Sequence, residues 1–146
     1  MVTTGTVGPV KTRLVKPQTF MNLSGDVLKS YTRRPFWSAA TDLLVVLDEV
    51  QLPLASMRVR SNGSAGGHNG LKSVEHALGT REYGRLRIGI APIDERHERG
   101  DLADFVLGPF GKAERSAIVA RMPEYTAAIE TWLTDGVAAA MNKHNS

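Results

Sequence analysis

The sequence predicts a single α/β domain, on three observations. Strand-like and helix-like segments alternate along the chain. Leu43-Leu44-Val45-Val46-Leu47 is a continuous apolar run of the kind found in strands covered on both faces. Beyond Lys112, residues Ile118, Met122, Tyr125, Ile129 and Trp132 recur every three or four positions, the period of a helix that buries one stripe. At 146 residues one core is sufficient, and 42% apolar with 23% charged residues is a globular composition. The domain is expected to occupy residues 1–146, since no linker, repeat or low-complexity tract divides it.

The elements follow in order. Residues 10–15 alternate as a strand does, and Pro17 stops them. Ser24 is expected to cap a helix running to about Thr32, with Val27, Leu28 and Tyr31 at helical spacing. The apolar run 43–47 is a strand. Residues 55–60 alternate again, with Met57 and Val59 on one face and Arg58 and Arg60 on the other. After the glycine-rich stretch 63–70 comes a helix over 71–78, closed by Gly79. Residues 85–90 form another strand, and 91–101 a polar loop. Past Lys112 the chain is helical, with Pro123 marking a kink or a new start and Asp135-Gly136 a turn before the last helix. Strand order is not encoded in these patterns.

Composition excludes several classes. No apolar run approaches ~18 residues, so no membrane-spanning helix is expected. The start, Met1-Val2-Thr3-Thr4-Gly5-Thr6, has neither a basic nor an apolar region, so no secretory leader is expected. Without cysteine there are no disulfides or thiolate metal sites. His68, His76, His97 and His144 fall in no H-E-x-x-H or similar spacing, so no zinc site is expected. The net charge of +3 is unevenly spread, +6 over residues 1–90 and −3 over residues 91–146. A basic first half suits a phosphate-bearing partner, and equally suits an ordinary solvated surface.

Four segments can carry chemistry. Lys16-Pro17-Gln18-Thr19-Phe20-Met21-Asn22-Leu23-Ser24-Gly25 joins a strand to a helix, where α/β proteins bind ligands. There Phe20 offers a flat apolar face and Asn22 both a donor and an acceptor. The same residues also suit a plain loop with a capping side chain and a core aromatic. Asp48, at the end of the apolar strand, is either a turn residue or a site carboxylate able to orient an imidazole. Gly63-Ser64-Ala65-Gly66-Gly67-His68-Asn69-Gly70 leads into a helix but matches neither a Walker A loop nor G-x-G-x-x-G. His68 there is a ligand, a base or a hydrogen-bonded loop residue. Arg58 with Arg60, and Arg85 with Arg87, sit two apart on strands, so each pair shares a face, as a phosphate-binding stripe or a solvated one.

In order along the chain, the segment Lys16 to Gly25, Leu47-Asp48-Glu49 with Leu52-Pro53, Gly66-Gly67-His68-Asn69-Gly70-Leu71, Arg85-Leu86-Arg87-Ile88-Gly89-Ile90, Asp104-Phe105-Val106-Leu107-Gly108 and Trp132-Leu133-Thr134-Asp135-Gly136 together resemble the bacterial-type peptidyl-tRNA hydrolases. The resemblance implies a three-layer α/β/α fold around a mixed central sheet. It implies a monomeric, cytoplasmic enzyme without metal or cofactor, which hydrolyses the ester joining a peptide to the 3′ ribose of tRNA. On the same grounds Asp48 is the catalytic carboxylate that holds the basic histidine. Asn22 and Asn69 bind the 3′ end of the substrate and order the attacking water, Phe20 contacts that end, and His68 is a site histidine other than the principal base. Arg60 and Arg87 clamp a tRNA phosphate.

Two departures from the family pattern stand out. Family members carry an earlier strand and helix, with a Gly-Asn-Pro-Gly loop and a Thr-Arg-His-Asn segment that supplies the base. The 146 residues contain neither motif. The chain is therefore expected to be shortened at its N-terminus, to leave an unpaired sheet edge and an open core, and to be weakly active or inactive. The other departure is at Ala91-Pro92-Ile93-Asp94-Glu95-Arg96-His97, which resembles the lid over the site but lacks the usual glycine after Gly89-Ile90. An alternative stays open: a non-catalytic RNA-binding protein on the same scaffold, as in splicing-factor relatives.

Overall fold

The chain opens with a hairpin. β1 (Val2–Val7) and β2 (Val10–Val15) pair antiparallel, with Val7 opposite Val10 and Val2 opposite Val15. The two-residue turn is Gly8 at φ 56° followed by Pro9, and the left-handed first position is one that glycine tolerates at no steric cost. A computed structural model describes residues 1–91 and 111–145. β2 lies where its alternation predicts. β1 was not expected, because Val2-Thr3-Thr4-Gly5-Thr6-Val7 has little apolar content of its own.

After the hairpin the chain enters a 3-10 helix (Met21–Leu28) that runs into α1 (Lys29–Thr32). The expectation for Ser24 is corrected here. Phe20, not Ser24, occupies the N-cap, and the Ser24 hydroxyl donates back to the Met21 carbonyl at 2.7 Å. The tight 3-10 winding is set by a distant contact. Gly25 N–H donates to Ser73 Oγ at 2.9 Å, and a Cβ at Gly25 would fall on the Ser73 backbone carbonyl.

A short α2 (Ala39–Asp42) precedes β3 (Leu44–Pro53), which continues well past the predicted apolar run. β4 spans Met57–Arg60, two residues shorter than its alternation suggests. Ala55 belongs to the preceding turn at φ 68°, held by its N–H to Gly89 O (2.9 Å) and by Tyr125 Oη donating to its carbonyl (2.6 Å). Helix α3 (Asn69–Leu78) ends at Gly79 in the left-handed conformation, as predicted. β5 (Gly84–Ala91) follows. After residue 110 come α4 (Lys112–Ala120), α5 (Met122–Asp135) and α6 (Val137–His144). Pro123 lies in the first turn of α5, so it starts a helix rather than kinking one.

The central sheet is mixed, in the order β3-β5-β4: β3 runs parallel to β5, and β4 antiparallel. Its two faces are chemically distinct. Met57 pairs with Ile88 and Val59 with Leu86, and these four pack under Tyr125 and Ala128 of α5 and Ala140 of α6. On the other face Leu47 meets Leu28, Leu71 and Val74 from the 3-10 helix and α3. This is the three-layer arrangement. Leu71 and Leu86 are almost wholly buried, each worth about 1.5–3 kcal/mol relative to exposure.

The outer edge of β4 is closed by a side chain. Asn145 accepts from Val59 N–H at 2.7 Å and donates to Val59 O at 2.8 Å, as a neighbouring strand would. Among the described residues the opposite edge is open: β3 pairs with a strand on one side only, and Val46 is 50% exposed. A cleft of about 1020 Å³ runs beside it, walled by the hairpin, the 3-10 helix and α3. Among the described residues no helix is long and apolar enough to cross a membrane.

Candidate active site

The cleft ends on a carboxylate and an imidazole. Asp48 is the fifth of the ten residues of β3, directly after the apolar residues that open the strand and not at its end as the apolar run suggests. The glycine-rich loop brings His68 to the N-cap of α3, where its Nδ1 accepts from Leu71 N–H at 3.2 Å. Its Nε2 lies 3.0 Å from Asp48 Oδ1. An acceptor at Nδ1 places the proton of the neutral ring on Nε2, so Nε2–H donates to Asp48, a tautomer assigned from the hydrogen-bond partners. Both ring nitrogens are then engaged, and neither is left to take a proton from water. Of the three roles open to His68, the geometry suits the hydrogen-bonded loop residue.

The hydrogen bond from His68 holds the Asp48 carboxyl below its ordinary value, with partial burial opposing it. A carboxylate with a depressed folded-state pKa contributes stability that is complete above its ordinary value. That stability disappears as pH falls through the folded-state pKa. The stability difference between the wild-type chain and Asp48→Asn is therefore expected to shrink on acidification below about 3.8, as measured by urea unfolding at stepped pH. A difference that grows on acidification would contradict the assigned pair.

The other predicted residues lie outside the lining of the cleft. Asn69 is the first residue of α3, directly after His68, and Asn22 is the second residue of the 3-10 helix. These two helix starts touch, since a Cβ at Gly70 would lie 2.8 Å from Met21 Sδ. Both asparagine side chains are exposed, and Phe20 beside them is 82% exposed. Arg60 is exposed at the end of β4 and bonds only weakly to its neighbour's carbonyl, Val59 O, at 3.5 Å. Arg87 is not free: Nη1 is 3.4 Å from Glu49 Oε2, and Nη2 donates to Ser64 O at 3.4 Å. Residues 92–97, with His97, and the Asp104-Phe105-Val106-Leu107-Gly108 motif lie outside the described residues.

Two features were not visible in the sequence. Cross-strand pairs share a face, and Arg58 faces Arg87 while Arg60 faces Arg85, so all four arginines lie on one face of the sheet. The two pairs were legible, but not their union. Arg85 is fully buried, donates to the carbonyls of Gly63 (2.9 Å), Tyr83 (3.4 Å) and Arg81, and lies 3.9 Å from the Tyr83 ring centroid. It anchors the start of the glycine-rich loop. Burial lowers its pKa and raises that of Tyr83. Among the described residues no group of three His, Cys, Asp or Glu side chains is arranged to hold a metal ion.

Known proteins share this sequence and architecture. The sequence profile of the family described as peptidyl-tRNA hydrolase matches residues 1–146. A peptidyl-tRNA hydrolase of Gemmatimonas aurantiaca is 51% identical over 140 residues, covering 96% of this chain and 74% of the relative. One from Alkaliphilus oremlandii is 40% identical over 145 residues, covering 97% and 74%. The crystal structure of peptidyl-tRNA hydrolase from Acinetobacter baumannii superposes with a TM-score of 0.79 at 27% identity, covering 99% of this chain and 71% of that one. This chain is thus shorter than its relatives, spanning about seven tenths of their length. With its mixed sheet between two helical layers, it belongs to the peptidyl-tRNA hydrolase family.

Proposed function

We propose that the cleft is where this chain carries out its family's reaction, hydrolysis of the ester between peptide and tRNA, which frees the tRNA for further translation. The observation that carries this reading is the contact of the two helix starts bearing Asn22 and Asn69, one of them following the His68 that is bonded to Asp48. In this reading the two exposed amides hold the 3′ end and the water, Phe20 stacks on a terminal base, and Arg60 and Arg87 take a backbone phosphate. Asp48 is the carboxylate suited to steady an imidazole base and its protonated form, a base that the described residues beside it do not supply. In this reading the working unit is one chain. Its substrate places it in the cytoplasm, where translation occurs.

Binding tests this assignment independently of turnover. Asn22→Ala and Asn69→Ala are each expected to loosen binding of an N-acetyl-aminoacyl acceptor-stem hairpin by roughly 3–10-fold, the value of one or two hydrogen bonds. Fluorescence anisotropy reads this directly, and unchanged affinity in both variants would remove the asparagines from the site. A second reading, a non-catalytic RNA-binding protein, is favoured by one observation: among the described residues no free imidazole nitrogen lies beside Asp48.

A further inference from the structure

Glu49 has no role in the reaction as described, yet it sits against a residue that does. Its Oε2 lies 3.4 Å from Arg87 Nη1, and the two side chains are only 21% and 16% exposed. Arg58, Arg60 and Arg85 share the sheet face with Arg87, and among the described residues Glu49 is the one carboxylate within ion-pair distance of that row. The pairing follows from register. Leu47 lies beside Arg87 in the parallel β3–β5 ladder, and Glu49, two residues on, shares the face of Leu47. Arg87 is further tied to Ser64 O at 3.4 Å, so both terminal nitrogens of its fork have a partner within the protein.

A phosphate approaching Arg87 therefore meets a site already occupied by an anion. From this geometry, and resting on the reading of Arg87 as a phosphate clamp, we propose that Glu49 is a specificity-determining residue, an internal competitor that a substrate phosphate displaces. A phosphate gains Arg87 only if other contacts hold it in place long enough to replace the carboxylate. Loosely held polyanions do not, so the arginine row discriminates against nucleic acid that lacks the 3′-end contacts. The cost of displacing a partly exposed ion pair is small, which limits the effect to a modest factor.

The test is a double-mutant cycle on binding of an acceptor-stem RNA hairpin with a 3′ CCA end. Glu49→Gln, nearly isosteric, is expected to tighten binding roughly two- to fivefold and to steepen its salt dependence. Arg87→Gln is expected to loosen binding, and the double variant to match Arg87→Gln alone. Thermal melts confirm that each variant folds. Equal or weaker binding by Glu49→Gln would show that Glu49 orients Arg87 rather than competing for it, and overturns the proposal. So does an equal gain from Glu49→Gln in the Arg87→Gln background, which marks a general charge effect. If Arg87→Gln leaves affinity unchanged, the phosphate role of Arg87 fails, and this proposal with it.

Discussion

The 146-residue chain is expected to cleave N-acetyl-aminoacyl-tRNA roughly 10²–10⁴-fold more slowly than the Gemmatimonas aurantiaca relative, with free imidazole restoring part of the difference. This expectation rests on a count of nitrogens among the described residues, which do not include His97. Water attacking an ester needs a base near neutral pKa, and Asp48, held below its ordinary value by His68, is too weak to serve. The His68 ring has one nitrogen on Asp48 and the other on Leu71 N–H. The open cleft admits a small ring, so dissolved imidazole at tens of millimolar should raise the rate in the wild-type chain. Asp48→Asn should abolish that gain, since an amide cannot stabilise the imidazolium that forms. Radiolabelled tRNA release measures both. Full activity without imidazole would show that a base is already present and would discard the assignment of His68.

Gly25→Ala should have a large effect on stability. A Cβ there would fall on the Ser73 backbone carbonyl, which belongs to α3 and cannot yield as a flexible side chain would. Relief requires the 3-10 helix to lift from α3, breaking the hydrogen bond from Gly25 to Ser73 and opening the packing of Leu28 against Leu71. A loss of about 3 kcal/mol or more is expected, equivalent to a fall of about 10 °C in Tm for a chain of this size. Since Asn22 rides on the same 3-10 helix, RNA affinity should fall in parallel. Ser73→Ala removes the hydrogen bond without the clash, and is expected to cost only about 1 kcal/mol. Similar melting points for the two variants would show that the close approach is not what matters.

These residues also mark how far the sequence could be read. The helix over 71–78 and its stop at Gly79 were legible, because capping and periodicity are local. The strand through Leu47 was legible as a strand, but not its burial: the apolar run suggested cover on both faces, and Val46 is half exposed among the described residues. Ser24 misled because its local preference for capping was overridden by Ser73, 48 residues away. β1 was invisible because Val2–Val7 is held by cross-strand bonds rather than by an apolar stripe. In the site, Asp48 and His68 each had several open roles, and only their 3.0 Å separation chose among them. Arg87 was readable as a cation, but its partner depended on the β3–β5 register, which no single-chain pattern carries.

The alternation of arginine with leucine and isoleucine along β5 bears on how the strands find each other. A slip of one residue in β5 would turn Arg85 and Arg87 beneath α5 and α6, and set Leu86 and Ile88 on the face of Leu47 in their place. Two guanidinium groups would then be trapped among hydrocarbon without their carbonyl acceptors, a far heavier penalty than a mispaired valine. Misaligned intermediates are thus expelled by charge before they can consolidate, and proofreading of the assembly is written into alternate positions of one strand.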